Sequence, residues 1–225
     1  MIDWQPLWLS LRLAGITTLL LLFIAIPLGY WLAHSRGRWK IAVEALVSLP
    51  MVLPPTVLGF YLLLAFSPSN TFGRFFDHYL DVRLVFTFPG LVVASLIYSL
   101  PFMVNPILAG FSSLSPNLRA ASRTLGKSDR TTLIRILLPN IRPALITGAV
   151  LCFAHTIGEF GVVMMIGGSI PGQTRVASVA IYDEVQSINY SQANQYAIVL
   201  LAFSFLILLL VYLVNHQFNH TKTLP

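Results

Sequence analysis

The sequence predicts an all-α, polytopic integral membrane protein with about five transmembrane helices, organised as a single domain over residues 1–225. Three observations carry that reading. Hydrophobic residues make up 56% of the chain and charged residues 10%, with a mean hydropathy of +0.77. A soluble domain carries roughly 25% charged residues to clothe its surface. The apolar residues fall into five long blocks, each close to the roughly 20 residues that a bilayer-crossing helix needs. The basic residues alternate between the two ends of successive blocks. A single cysteine, Cys152, permits no internal disulfide and fits no metal motif. The composition excludes a secreted disulfide scaffold, a collagen-like chain and a disordered tail.

The first predicted span covers residues 13–33, with Trp4 and Trp8 before it and Tyr30 and Trp31 near its far end, as suits aromatics at the two interfaces. Asp3 stands where the basic region of a cleaved signal would be, and the apolar run is too long for one. The second span is 45–66, the third 86–111, the fourth 143–168 and the fifth 196–214. A short apolar piece, 176–182, cannot cross and reads as a re-entrant or surface helix.

Orientation follows from Lys and Arg. Arg36, Arg38 and Lys40 lie in the first loop. Arg119, Arg123, Lys127, Arg130, Arg135 and Arg142 lie in the third, and Lys222 in the C-terminal tail. The opposite side has Arg74, Arg83 and Arg175, with Arg12 at the edge of the first span. Ten basic residues of fourteen therefore share one side, which the positive-inside rule makes cytoplasmic. The N-terminus is expected outside and the C-terminus inside. The net charge of +6 then needs no nucleic acid to explain it.

Within the spans, Pro27, Pro50, Pro54, Pro55, Pro101 and Pro106 each remove a helix hydrogen bond. Such breaks survive in a membrane where protein or water satisfies the freed groups. They read either as kinks packed on neighbouring helices or, for residues 49–55, as the lining of a pathway. Glu159 is the one acid deep inside a span, and His155 precedes it by four residues. An intramembrane ionisable residue is a functional candidate by default, so Glu159 and its neighbour Phe160 join Pro50, Pro54 and Pro55 as pathway or gate candidates. A cross-helix hydrogen bond is the structural alternative for Glu159. The pair lacks a third partner for a metal, and no nucleophile set exists, so no catalytic, cofactor or metal site is expected. Gly148, Cys152, Ala154 and Gly158 place small residues where helices can approach closely.

The basic segment 115–139 carries the most information. Ser115 suits a helix N-cap, Pro116 the first helical position and Gly126 the residue after a helix end. Leu118, Ala121, Ser122 and Leu125 share one face at i, i+3, i+4, i+7, with Arg119 and Arg123 on another. A second helix is expected from about residue 129 to 138, stopping before Pro139. This pair of short helices could be a knob for a partner's groove or an interfacial helix resting on anionic lipid. Gly126-Lys127-Ser128 mimics the end of a phosphate-binding loop, but Ala121 occupies the place of its first glycine and no strand precedes it. Nucleotide hydrolysis by this chain is not expected.

Gly126, nine residues, then Ile136-Leu137-Leu138-Pro139 resembles the EAA motif of bacterial ABC-importer permeases, E-A-A-x-x-x-G-x(9)-I-x-L-P. On that pattern Ala120 takes the place of the Glu, and Ala121 and Ser122 those of the two alanines. Residues 49–61, from Leu49-Pro50-Met51 to Gly59-Phe60-Tyr61, are similar to the second-span signature of molybdate permeases. Gly158-Glu159-Phe160-Gly161 and the outer stretch Ile170-Pro171-Gly172-Gln173-Thr174-Arg175 are similar to their fourth span and outer loop; many relatives carry an Arg before the Gly-Glu-aromatic-Gly block, where this chain has His155 nearby instead.

The resemblance covers nearly the whole chain. It implies the fold of a type I ABC importer permease in a bacterial cytoplasmic (inner) membrane, with two copies forming the pathway. It also implies two copies of an ATPase subunit docked at residues 115–139, and an extracytoplasmic binding protein that delivers an oxyanion, most simply molybdate. The coupling residues it implies are Ala120, Ala121, Ser122, Leu125, Gly126, Ile136, Leu138 and Pro139. Tungstate or sulfate is the nearest alternative cargo. A secondary transporter would need a coupling-ion site and usually internal repeats, and only Glu159 is available. An intramembrane enzyme lacks a nucleophile.

Overall fold

The computed structural model describes residues 2–79 and 81–220; Lys222, part of the charge argument above, lies outside them. Among the described residues the fold is all helical. The first helix, α1 (Gln5–His34), begins with Pro6 in its first turn and continues through Pro27. It starts eight residues before the expected span, because residues 5–12 continue the helix at the interface. Next come α2 (Trp39–Val52) and α3 (Pro55–Phe66), which replace the single expected span 45–66 with two helices bent by 112° from a straight course. The cause is local. A residue that precedes proline is driven out of the α region, and Leu53 and Pro54 both precede one. Both are extended, with ψ of 136° and 134°.

The chain then forms α4 (Thr71–Tyr79), an amphipathic turn of helix whose Phe72 and Phe76 pack towards Phe66. After it runs α5 (Phe88–Ser112), whose first turn is capped by Thr87 and which accommodates Pro101 and Pro106. The basic segment supplies α6 (Pro116–Thr124), α7 (Asp129–Thr132), a π-helical turn (Leu133–Leu137) and α8 (Leu138–Asn140). The second helix of that segment does not stop before Pro139. Pro139 has no N–H and its ring crowds the carbonyl four residues back. The helix widens ahead of it, with the Leu138 N–H reaching back five residues to the Leu133 carbonyl.

The fourth expected span, 143–168, is likewise two helices, α9 (Arg142–Gly158) and α10 (Gly161–Gly167), separated by an extended Glu159 and by Phe160. The apolar piece 176–182 lies in α11 (Ala177–Gln186), a helix whose N-terminal Ala177 N–H is held by Ser10 Oγ at 2.8 Å and whose Ala177, Val179 and Ala180 are fully buried. The last helix is α12 (Tyr190–His220).

At the centre stands α5, packed by α1, α9, α2 and α10. One core cluster joins α1, α5 and α9 through Leu21, Leu32, Met103, Ile107 and Cys152. A second lies nearer the other end and joins α1, α5, α10 and α11 through Leu13, Leu91, Val163 and Val179. Two of the small residues of α9 serve as expected: Gly148 rests on the Met103 backbone, and Cys152 accepts a contact from Thr18 Oγ1 at 3.7 Å. Gly158 does not, since it is exposed and a Cβ placed on it would meet no neighbouring helix within 4 Å. By contrast, α12 is peripheral, with only 11% of its apolar window buried. Among the described residues three helices (α1, α5 and α12) are long and apolar enough to cross a membrane alone.

Candidate functional site

The two broken helix pairs meet at their breaks. Pro50 is buried in the last turn of α2, Pro54 caps α3, and Pro55 begins it. A Cβ on Gly161, the first residue of α10, would stand 2.6 Å from Pro55 Cβ, and one on Gly59 would stand 2.8 Å from Met165 Cβ. Only glycine permits α3 and α10 to lie this close. Of the pathway candidates, Pro55 is thus set against Gly161, 106 positions further along the chain and next to Phe160.

Glu159 is 7% exposed, and its Oε1 accepts the Val162 N–H at 2.8 Å. The expectation of a buried, hydrogen-bonded carboxyl holds, but its partner is the start of the next helix rather than a helix across the bundle. Breaking the chain at 159 leaves the first N–H groups of α10 without intrahelical acceptors, and the carboxyl supplies one. The Glu159 backbone carbonyl meanwhile accepts Ser178 Oγ of α11. Phe160 stacks at 4.9 Å on Tyr182, also of α11. His155 faces elsewhere: its ring lies 3.8 Å from Phe102 and 4.7 Å from Tyr98, and its Nδ1 is 3.1 Å from Ser99 Oγ. Ser99 also bonds Thr156 Oγ1 at 2.9 Å, which donates to the Cys152 carbonyl. Three polar side chains, Ser99, His155 and Thr156, thereby satisfy one another between α5 and α9.

At the other end of the molecule the basic segment folds as two short helices around a tight turn. Ser115 Oγ accepts the Asn117 N–H, and Ser128 Oγ accepts the Thr131 N–H, so both helices are capped at their starts. The first ends in a Schellman motif: Gly126, at φ +70°, donates to the Arg123 carbonyl and Lys127 to that of Ser122. Ser122 and Thr132, both fully buried, are joined by a 2.7 Å hydrogen bond. Because Thr132 spends its proton on the Ser128 carbonyl, Ser122 must be the donor.

Asp129 draws both arginines across the turn, with Arg123 Nη2 at 3.1 Å and Arg119 Nη2 at 3.5 Å. The Arg123 hydrogen bond is the main reason its carboxyl is held below the ordinary aspartate value. This pairing was not legible in the sequence, since it joins residues six and ten apart through a turn. The eight motif residues divide. Ala120, Ala121, Gly126 and Pro139 are exposed, and Leu125 is 75% exposed. Ser122 faces inward, and Ile136 and Leu138 pack against the core of α1, α5 and α9. The predicted common face of Leu118, Ala121, Ser122 and Leu125 is therefore split, with Leu118 and Ser122 holding the helix down and the other two presented outward.

A bundle too apolar for water, two helix pairs broken and abutting within it, and a braced basic knob at one end define a polytopic membrane protein. Comparison with known proteins refines the class. The model of the family described as binding-protein-dependent transport system inner membrane component matches residues 25–221, and the chain belongs to that family. It is 46% identical over 210 residues to the molybdenum transport system permease protein ModB of Azotobacter vinelandii, covering 93% of each chain. To the sulfate transport system permease protein CysT of Salmonella typhimurium it is 32% identical, over 85% of this chain and 69% of that one. Among solved structures it resembles a bacterial ABC transporter that imports the acidic polysaccharide alginate, with a TM-score of 0.77 at 18% identity over 95% of this chain and 78% of that one. It also resembles the inward-facing MetNI methionine ABC transporter, with a TM-score of 0.73 at 17% identity over 94% of each chain.

Proposed function

We propose that this chain is the translocation subunit of an ATP-driven importer whose cargo is molybdate. The observation that carries the cargo is the 46% identity to a molybdenum permease along 93% of both chains, against 32% to a sulfate permease. On this reading two copies of the chain enclose the pathway, and an extracytoplasmic binding protein delivers the oxyanion. Two ATPase subunits dock on the knob at residues 115–139. The exposed Ala120, Ala121, Leu125, Gly126 and Pro139 make that contact, while Ser122, Ile136 and Leu138 transmit it to the bundle.

The chain crosses the inner membrane five times, with the N-terminus outside and the C-terminus in the cytoplasm, the second and fourth crossings being made by the broken pairs. Pro50, Pro54 and Pro55 on one side, with Glu159 and Phe160 on the other, form the joint beside the pathway. ATP hydrolysis belongs to the separate subunit. The test is reconstitution of the permease with its ATPase and binding protein, measuring which of molybdate, tungstate and sulfate stimulates ATP hydrolysis. Stimulation by molybdate at the lowest concentration is expected, and stimulation by sulfate alone would reassign the cargo.

A further inference from the structure

A cavity of about 430 Å³ opens where the end of α1, the end of α5 and the start of α6 converge. Its charged lining is wholly cationic: Arg36, exposed and with no ion pair among the described residues, and Arg119. The ion pair to Asp129 occupies Arg119 Nη2, and its guanidinium lies 5.6 Å above the Tyr30 ring. Its Nε, however, is buried without any hydrogen-bond partner. A buried charged donor left unsatisfied calls for an acceptor.

Ser35 and Ser112 line the same cavity, and Ser115, whose oxygen already caps α6, still has its proton to give. His34 adds no donor there in its neutral form, because its Nδ1–H is spent on the Tyr30 carbonyl. The group that matches two guanidinium cations beside serines is a phosphate. Phe111, Leu114 and Leu137 form the other part of the lining, and Trp31, 44% exposed, lies one turn before the cavity on α1. The cavity is thus at the depth where apolar helix gives way to the interface, the level of lipid headgroups.

We propose that this cavity binds the phosphate of an anionic phospholipid. The assignment needs membrane embedding only and does not depend on the identity of the transported anion. Bound there, the lipid would bridge α1 to the helix that carries the knob, so the packing of α6 on the bundle would respond to lipid composition.

The test uses the full chain, delipidated in detergent and titrated with phosphatidylglycerol, phosphatidylcholine or inorganic phosphate while bound species are counted by native mass spectrometry. One phosphatidylglycerol should bind with clear preference over phosphatidylcholine. At the strength typical of basic residues near a membrane surface, R36Q should weaken it about fivefold and R36Q/R119Q about thirtyfold. R36Q changes an exposed residue and leaves the Arg119–Asp129 pair intact, so it reads the site even where the double variant loosens the knob. R130Q, on the same basic segment but outside the cavity, should bind as the wild type does. Equal weakening by R130Q and R36Q would show diffuse surface charge and overturn the site. Displacement of the lipid by millimolar inorganic phosphate would overturn the lipid as the source of the phosphate group.

Discussion

Replacing Glu159 separates its role as a cap from any role for its charge. In the structure its carboxyl accepts the Val162 N–H at 2.8 Å, and Val162 itself is fully buried, so no water can take over that bond. Glu159→Leu strands the N–H at a cost of about 1–3 kcal/mol, and α10, only seven residues long, loses the group that fixes its start. Taking about 2 kcal/mol, and about 2–4 °C per kcal/mol for a chain of this size, the variant should melt about 4–8 °C lower. Glu159→Gln keeps an acceptor oxygen in the same place and should lose clearly less than the Leu variant.

The assays are thermal unfolding of the purified permease and anion uptake by the reconstituted complex. Both variants should lose transport in proportion to their loss of melting temperature. Two results would refute the reasoning. A Leu variant that melts with the wild type would show that the cap contributes nothing. A Gln variant that melts and assembles normally but transports nothing would show that the charge itself is required.

Three further outcomes are expected. Cysteines placed at Ser35 and at Ser69 should label from opposite faces of sealed vesicles; labelling from one face would remove the odd number of crossings between them. Ala121→Glu puts a charge on the outward face of α6 and should uncouple ATP hydrolysis from uptake without lowering the melting temperature, whereas normal uptake would move the docking surface elsewhere. For Asp129, whose carboxyl is held low chiefly by Arg123, the stabilisation is fully present above the ordinary aspartate pKa and is lost only as pH falls through the lowered value. Coupling measured between pH 5 and 8 should therefore show no step that Asp129→Asn removes, though the variant should couple less well throughout; a step in that window abolished by Asp129→Asn would contradict the assignment.

Much of this fold was legible in the sequence, though unequally. The helices α1, α5 and α12 follow directly from unbroken apolar runs, which the bilayer as solvent makes decisive. The broken pairs do not, because hydropathy carries no direction: residues 45–66 stay apolar through a turn of 112°. Pro54 and Pro55 marked the place, but the path taken depends on the seat that Gly161 offers Pro55. Nine residues of mixed polarity hid α4, whose Phe72 and Phe76 show helical spacing only over so short a window. In the knob, the caps and the Gly126 turn could be read residue by residue, since each is local. The Ser122–Thr132 bond and the Asp129 pairing required the turn to close first. The missing acid of the motif at Ala120 drew attention to a lost charge, while the acid that braces this segment sits nine residues later.

The contact between Gly161 and Pro55 limits what the two broken pairs can do. With 2.6 Å between Pro55 Cβ and the place where a Cβ on Gly161 would stand, any side chain at 161 would force the two breaks apart. A proline ring offers no rotamers through which to yield. A shift of α3 at this point therefore bears directly on the start of α10, and through the Glu159 carbonyl held by Ser178 on α11.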